Sequence, residues 1–367
     1  MSNALARTSI VAVATSLILA VLNPANGTAQ EAPPEPQPVL LQMIRDDAIH
    51  DELKLSDDQV RRVFESIAEI DDPWYQAGRL PTAERIATIE KLSAQLTNAL
   101  SAILNQSQLE RLDQLCNQAL GTRMILRNVT AEKLGMTAQE REELYNVYRE
   151  TDRQAESLKA KVKNGDLKQS EAMEIVGRAQ NAERKKFADT LSIEQKRKLS
   201  TLTGQPFDFA KVKRRFPRAP EIVTEGSRWL QGDPVKLEDL RGKVVALHFY
   251  AFGCINCKRN LPHYNAWYDD FADDGLVVIG IQSPETAAER DPSKVAAAIK
   301  KDGMQYPVLF DGEKANWNKW AISWWPTVVL IDKQGFLRSH WEGEMNWQGT
   351  EGEKQMRQTI EQLLAER

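Results

Sequence analysis

No proline occurs between Thr82 and Gln205, and eight of the nine tryptophans lie at or beyond residue 229, Trp74 being the exception. Proline removes a backbone donor and breaks helices, so the proline-free run admits long uninterrupted ones. The change of character falls near Gly204 to Pro220, and 367 residues suffice for two ordinary hydrophobic cores. The chain therefore reads as two domains of different kinds.

The first is helical by period. Val60, Val63, Phe64, Ile67 and Ile70 share one face, as do Ile86, Ile89, Leu92, Leu96, Leu100 and Ile103. Leu144, Val147, Tyr148, Ala155 and Leu158 form a third stripe, and Ile175, Val176, Ala179 and Phe187 a fourth. A weak repeat runs through the region. LKLSDDQVRRV (53–63) resembles LGMTAQEREEL (134–144), and LNQSQLERL (104–112) resembles LSIEQKRKL (191–199). Each segment carries a leucine, then a capping Ser, Thr or Asn, with a side chain returning at the third helical position. The spacing predicts two copies of a helical hairpin of about 80 residues each. The pattern resembles the LTxxQ repeats of exported stress proteins of the Spy and CpxP kind, which implies a chaperone or partner-binding role. Well-capped helices with no such role fit the same residues.

The amino terminus has the pattern of a targeting signal: Arg7, the apolar run Ile10–Leu22, Pro24, and small residues Gly27 to Ala29 before Gln30. The run is short for a membrane span, which needs about 20 residues. Export is expected, with a cleaved signal or an uncleaved anchor. Residues 1–29 are assigned as signal, 30–39 as a proline-rich spacer, 40–203 as the helical domain, 204–220 as a basic linker and 221–367 as the second domain. In the linker, Lys211–Arg215 reads as solvated. Apolar residues make up 42% and charged residues 27%, and net charge is −4, a soluble globular balance that points away from nucleic acid.

The second domain alternates strands and helices. Strands are predicted at 243–250, 275–282, 306–311, 327–332 and 336–343, the last two joined by a turn at 333–335. Helices are predicted at 257–273, 292–302 and 352–366. This is an α/β arrangement, a mixed sheet with helices on both faces.

Cys254 and Cys257, two of the three cysteines, follow directly on the first of these strands. A thiol at the start of a helix meets unpaired N–H groups and the positive end of the helix dipole, which favour the thiolate. Cys257 lies one turn on, within reach, so Cys254 is the candidate nucleophile and Cys257 the resolving thiol. A structural staple closing so short a loop would contribute only about 2 kcal/mol. A zinc site wants four ligands, and only Cys254, Cys257 and His263 are at hand. No metal is therefore expected, and no cofactor. Cys116, among Leu109, Leu112, Leu115 and Leu120, reads as a buried apolar residue.

LEDLRGKVVALHFYAFGCINCKRNLP and WWPTVVLIDKQGFLRSHWEGE resemble the TlpA/ResA branch of thioredoxin-fold thiol–disulfide oxidoreductases. The particular CINC, GLVVIGIQSPE and YPVLFD resemble the thioredoxin-like C-terminal domains of DipZ-type proteins. The resemblance covers residues from about 221 to 367. It implies a thioredoxin fold, catalytic roles for Cys254 and Cys257, and a cis proline at Pro326 that brings Trp325 beside the pair as a substrate-binding surface. Three positions depart from the pattern. Gly253 stands where relatives commonly carry tryptophan, Asn260 where many carry glutamate, and His248 where thioredoxin keeps a buried acid. His248, with Asn260 orienting water, is a candidate for the missing proton handling; a core histidine bonded to a neighbouring strand or loop is the alternative. The expected function is an exported, periplasmic or otherwise extracytoplasmic thiol–disulfide oxidoreductase, with protein thiols and disulfides as partners and a membrane or soluble electron donor. The helical domain is expected to supply a partner or dimer contact. A helical chaperone or scaffold whose redox domain is secondary is the alternative.

Overall fold

The computed structural model describes residues 38–366, so the signal assigned to 1–29 and most of the spacer lie outside the described residues. The chain divides into two compact units. The first holds residues up to Ile67 and Leu80–Val212; the second holds Ala68–Arg79 and Lys213–Arg367.

The first unit is helical. Its longer helices are Thr82–Ser101, Gln106–Leu120, Ala138–Lys163, Gln169–Thr190 and Ile193–Thr203, together with the start of Asp57–Ala77. The stripes read from the sequence supply the core: Val63, Ile67, Ile89, Leu92, Leu96, Leu100, Leu144, Tyr148 and Phe187 are buried.

The repeat is visible as a repeated brace. Ser56 and Gln59 cap one helix reciprocally, and Asn105 and Gln108 cap its partner. The two glutamine amides then bond each other at 2.8 and 3.1 Å, and Gln108 Nε2 also reaches the carbonyls of Leu53 and Lys54. In the second copy Thr137 and Glu140 form one box and Ser192 and Gln195 the other. Gln195 Nε2 spans to Glu140 Oε2 and to the Gly135 carbonyl, both at 3.5 Å. Lys54 and Gly135, equivalent in the repeat, both take the left-handed conformation (φ 53° and 70°). The side chains that cap each pair of helices thus also tie the pair together.

In the second unit six strands form one sheet in the order β1-β4-β3-β2-β5-β6. They are β1 (Arg228–Gln231), β2 (Val244–Tyr250), β3 (Leu276–Gln282), β4 (Val308–Phe310), β5 (Thr327–Ile331) and β6 (Leu337–Glu342). β2, β3 and β4 run parallel, while β5, β6 and the edge strand β1 run antiparallel to their neighbours. β1 has no counterpart in the sequence reading; its RWLQ lacks a period long enough to register, and pairing with β4 creates it. One face of the sheet is covered by the helices Ile255–Phe271, Pro292–Lys301 and Gly352–Ala365, through Leu261, Tyr264, Trp267, Val295, Ile299, Met356, Ile360 and Leu363. The other face takes Ile222, Leu237, Trp320 and Ile322, with Trp317 of the short helix Ala315–Lys319.

Two segments differ from expectation. Residues 68–79, within the span assigned to the helical domain, group with the second unit. There Tyr75 donates to the Trp320 carbonyl, Gln76 Nε2 to that of Lys319 at 3.1 Å, and Asp72 pairs with Lys319 at 2.6 Å. The reading of Lys211–Arg215 as a solvated stretch is corrected at Arg214. It is buried and pairs with the buried Asp332 at 3.3 Å, with its guanidinium over Phe336. Pro217 and Ala219 bond the backbone of the β5–β6 hairpin, so the chain here is laid along the sheet as added structure.

Gln108→Leu is expected to weaken the helical unit by about 1–3 kcal/mol, because it removes a cap and strands buried carbonyls. Urea unfolding followed by far-UV circular dichroism measures this, and unchanged stability would show that the brace contributes nothing.

Candidate active site

Every residue of β2 is buried, and the strand is bonded to β3 on one side and β5 on the other. Its apolar run KVVALHFY suits a strand with no solvent face. The chain leaves β2 at Tyr250, turns through Ala251–Gly253 and enters the helix Ile255–Phe271 with Cys254 as its N-cap (φ −68°, ψ 121°). The Cys254 N–H donates to the Ala251 carbonyl at 3.2 Å. Cys254 is half-buried; Cys257, at the third helical position, is buried.

The two thiols have opposite environments. The Cys254 thiol is pulled down to about 6. The hydrogen bond from the Cys257 thiol is the chief cause; partial burial works against it, and the N–H groups of Cys257 and Asn256 work with it. The Cys257 thiol is pushed well up by that same hydrogen bond and by burial. An accessible thiolate with a buried protonated thiol behind it can attack an external sulfur and then be released by its neighbour.

The peptide between Trp325 and Pro326 is cis, immediately before β5. Cys254, Phe252 and Trp325 all pack on the core cluster that contains Cys257, so the fold brings these candidates to one place. Trp325 is fixed rather than free. Its Nε1 donates to the Ser283 carbonyl at 3.0 Å, its ring lies 4.0 Å from that of Trp317, and Lys314 Nζ sits 4.5 Å above it. The open apolar surface here is Trp324, 65% exposed, and Ile255 between the cysteines, 59% exposed.

Asn260 lies on the helix Ile255–Phe271. It is buried, and its amide is spent on the protein: Nδ2 donates to the Gly343 carbonyl at 2.9 Å and to Tyr264 Oη at 3.3 Å, and Oδ1 accepts from Met345 N–H at 2.9 Å. It ties the active-site helix to the segment after β6. His248 is wholly buried, and neither ring nitrogen has a protein partner. It stacks on Tyr264 at 4.3 Å, with Tyr250 and Tyr306 at 5.1 and 5.5 Å. Burial pushes its pKa down to about 3, which makes the ring neutral and weakly basic. No hydrogen bond joins the ring to a neighbouring strand or loop. The hydroxyls of Tyr250 and Tyr306 beside it are also without protein partners.

Two buried carboxylates that the sequence reading passed over stand beside the site. Glu289 accepts from Gly253 N–H at 2.6 Å and from Glu285 and Thr286 N–H, both at 2.7 Å. Asp311 accepts from Ser283 Oγ at 2.8 Å and from the N–H groups of Asn316 and Trp317, both at 2.9 Å. The signal for Glu289 was the capping spacing Thr286-x-x-Glu289. Among the described residues, no group of three or more His, Cys, Asp or Glu side chains could hold a metal ion.

A parallel β2-β3-β4 core, an antiparallel β5-β6 hairpin, a CxxC just after the central strand and a cis proline immediately before β5 define a thioredoxin-fold domain. Residues 218–340 match the profile of the AhpC/TSA family. The protein DipZ of Mycobacterium bovis is 42% identical over 118 residues, which is 32% of this chain and 17% of DipZ. The thiol–disulfide oxidoreductase YkuV of Bacillus subtilis is 26% identical over 155 residues, 42% of this chain and 99% of YkuV. The thiol–disulfide oxidoreductase ResA of Bacillus thuringiensis is 28% identical over 134 residues, 36% of this chain and 73% of ResA.

Iodoacetamide labelling of the reduced protein is expected to modify Cys254 first, with a rate that climbs from pH 5, passes its midpoint near pH 6 and levels off above pH 7. The sign follows from the depressed thiol: thiolate is lost as pH falls through the folded value. Earlier modification of Cys257 would reverse the two roles.

Proposed function

We propose that the protein is a thiol–disulfide oxidoreductase that exchanges disulfides with protein substrates through Cys254 and Cys257. The observation that carries this reading is the opposed pair: an accessible Cys254 with a depressed pKa in front of a buried Cys257 with a raised one. In the reducing direction the Cys254 thiolate attacks one sulfur of a substrate disulfide and expels the other as a thiolate. Cys257, losing its proton, attacks Cys254 Sγ, expels the second substrate thiolate and closes the 254–257 disulfide. Two electrons pass to the substrate, and an external dithiol must return them. The oxidising direction is the same sequence reversed. Trp324, Ile255 and the cis Trp325–Pro326 segment form the surface against which the substrate strand lies.

The signal pattern at 1–29 supports an extracytoplasmic site of action, with a soluble or membrane-held electron donor. No helix among the described residues is long and apolar enough to cross a membrane. The helical unit serves as a partner or dimer contact: Val129, Met173 and Ile193 are exposed on it. Those residues also favour the second reading, a helical chaperone whose redox domain is secondary.

The test is capture of substrate. Cys257→Ser is expected to accumulate mixed disulfides on Cys254, and Cys254→Ser to abolish insulin reduction. Cys116 is buried and pushed up to about 12 by that burial, so Cys116→Ser is expected to keep the parent rate. Retention of insulin reduction by Cys254→Ser would sink the exchange reading. A Cys254→Ser/Cys257→Ser protein that still suppresses aggregation of an unfolded client as well as the parent would support the chaperone reading.

A further inference from the structure

We propose that Glu289 is the positioning residue of the Cys254 nucleophile, a buried carboxylate that clips the turn before the cysteine to the segment after β3. The inference rests on the exchange reading only for the word nucleophile; the clip is geometric.

Glu289 is 0% exposed, yet it is an acidic residue on a short turn of 3₁₀ helix. Burying a carboxylate is costly unless it is bonded. Its bonds all go to main-chain N–H groups: Oε1 to Gly253, and Oε2 to Glu285 and Thr286. Among the described residues no cation pairs with it. Such a group does one thing well: it fixes the peptides whose N–H groups it holds. One of these is the Phe252–Gly253 peptide, in the turn that leads into Cys254. The sulfur of Cys254 is stabilised chiefly by the Cys257 thiol and also by N–H groups of the helix turn that follows, so its environment depends on how the chain enters that helix.

Gly253 carries the second observation. Its φ is not in the left-handed region, so no backbone strain demands glycine here. A Cβ on residue 253 would instead lie 2.8 Å from Glu289 Oε1, nearer than real Cβ contacts allow. The absence of a side chain before Cys254, which the sequence showed only as a departure from a tryptophan, is the space that the carboxylate fills.

The segment that Glu289 anchors also reaches the other half of the site. Ser283 accepts Trp325 Nε1 through its carbonyl, and its hydroxyl is held by Asp311. Asp311 in turn caps the segment bearing Trp317, which lies against Trp325. Residues 283–289 thus join the turn of the nucleophile to the aromatic wall beside the cis proline. Glu289 is the link on the nucleophile's side.

The experiment is iodoacetamide labelling of Cys254 across pH on the full-length reduced chain, with folding checked by circular dichroism. This readout needs no protein substrate. Loss of insulin reduction by the parent would therefore count against the exchange reading and leave the clip standing. Glu289→Ala and Glu289→Gln are each expected to move the labelling midpoint up and to slow labelling at pH 5 about tenfold, since less thiolate is held by the loosened turn. Gly253→Ala is expected to do the same by displacing the carboxylate. The Gly253→Ala/Glu289→Ala protein should be no slower than the slower single variant, because both changes remove one contact. Should Glu289→Ala fail to fold, the Gln and Gly253→Ala variants decide. A folded Glu289→Gln or Gly253→Ala protein with the parent's rate and midpoint would overturn the proposal. A midpoint that moves down in Glu289→Gln would overturn it too, showing that the carboxylate acts through its charge and not by holding the turn.

Discussion

The second unit depends on β2 being bonded along both edges. Its two neighbours run in opposite senses, β3 parallel and β5 antiparallel, and no residue of β2 reaches solvent. A strand so held fixes where its last residue points. The chain can only leave the sheet at Tyr250, and the helix that follows must return over the face covered by Tyr264 and Trp267. The cysteine pair sits at this exit, and its chemistry comes from the geometry of leaving: unpaired helix N–H groups in front, apolar core behind. The opposite shifts of the two thiols follow from that placement together with the hydrogen bond between them.

Around this frame the structure uses polar side chains as main-chain clips. Glu289 and Asp311 each hold three donors, Asn260 holds both a carbonyl and an N–H, and the paired glutamines of the helical unit hold caps and carbonyls together. Glu289, Asp311, Asn260 and Gln108 are buried, and each spends hydrogen bonds on backbone. Irregular segments between sheet and helix are thereby held as firmly as the elements they join. Around His248, by contrast, both ring nitrogens and the hydroxyls of Tyr250 and Tyr306 lie without protein partners.

Where the structure departs from the local pattern, one reason recurs: residues meet partners far away in sequence. Arg214 looked like part of a solvated basic run, but Asp332 and Phe336 lie 118 and 122 residues on and bury it. Asn260, in place of a glutamate, also takes its partners from far along the chain. Its partners, Gly343 and Met345, come from beyond β6. β1 is four residues whose strand character exists only beside β4.

Local pattern by itself determined much of this protein. The helical stripes, the capping pairs of the repeat, the buried strands of the sheet and the CxxC at a strand-to-helix junction are all short-range features, because helix period, strand burial and N-cap chemistry act over a few residues. Cys254 could be proposed as the nucleophile for the same reason: Cys257, one turn on, supplies the hydrogen bond that chiefly lowers its pKa, and nearby N–H groups add to it. Only the tertiary structure decided that Gly253 is a glycine to admit Glu289, that residues 68–79 group with the second unit, that His248 is stacked and unpartnered, and that Trp325 is a fixed wall. Those facts rest on contacts between residues tens to hundreds of positions apart. A single sequence carries no sign of which distant side chain will fill a given space, since many side chains would fit until the sheet closes and only one is there.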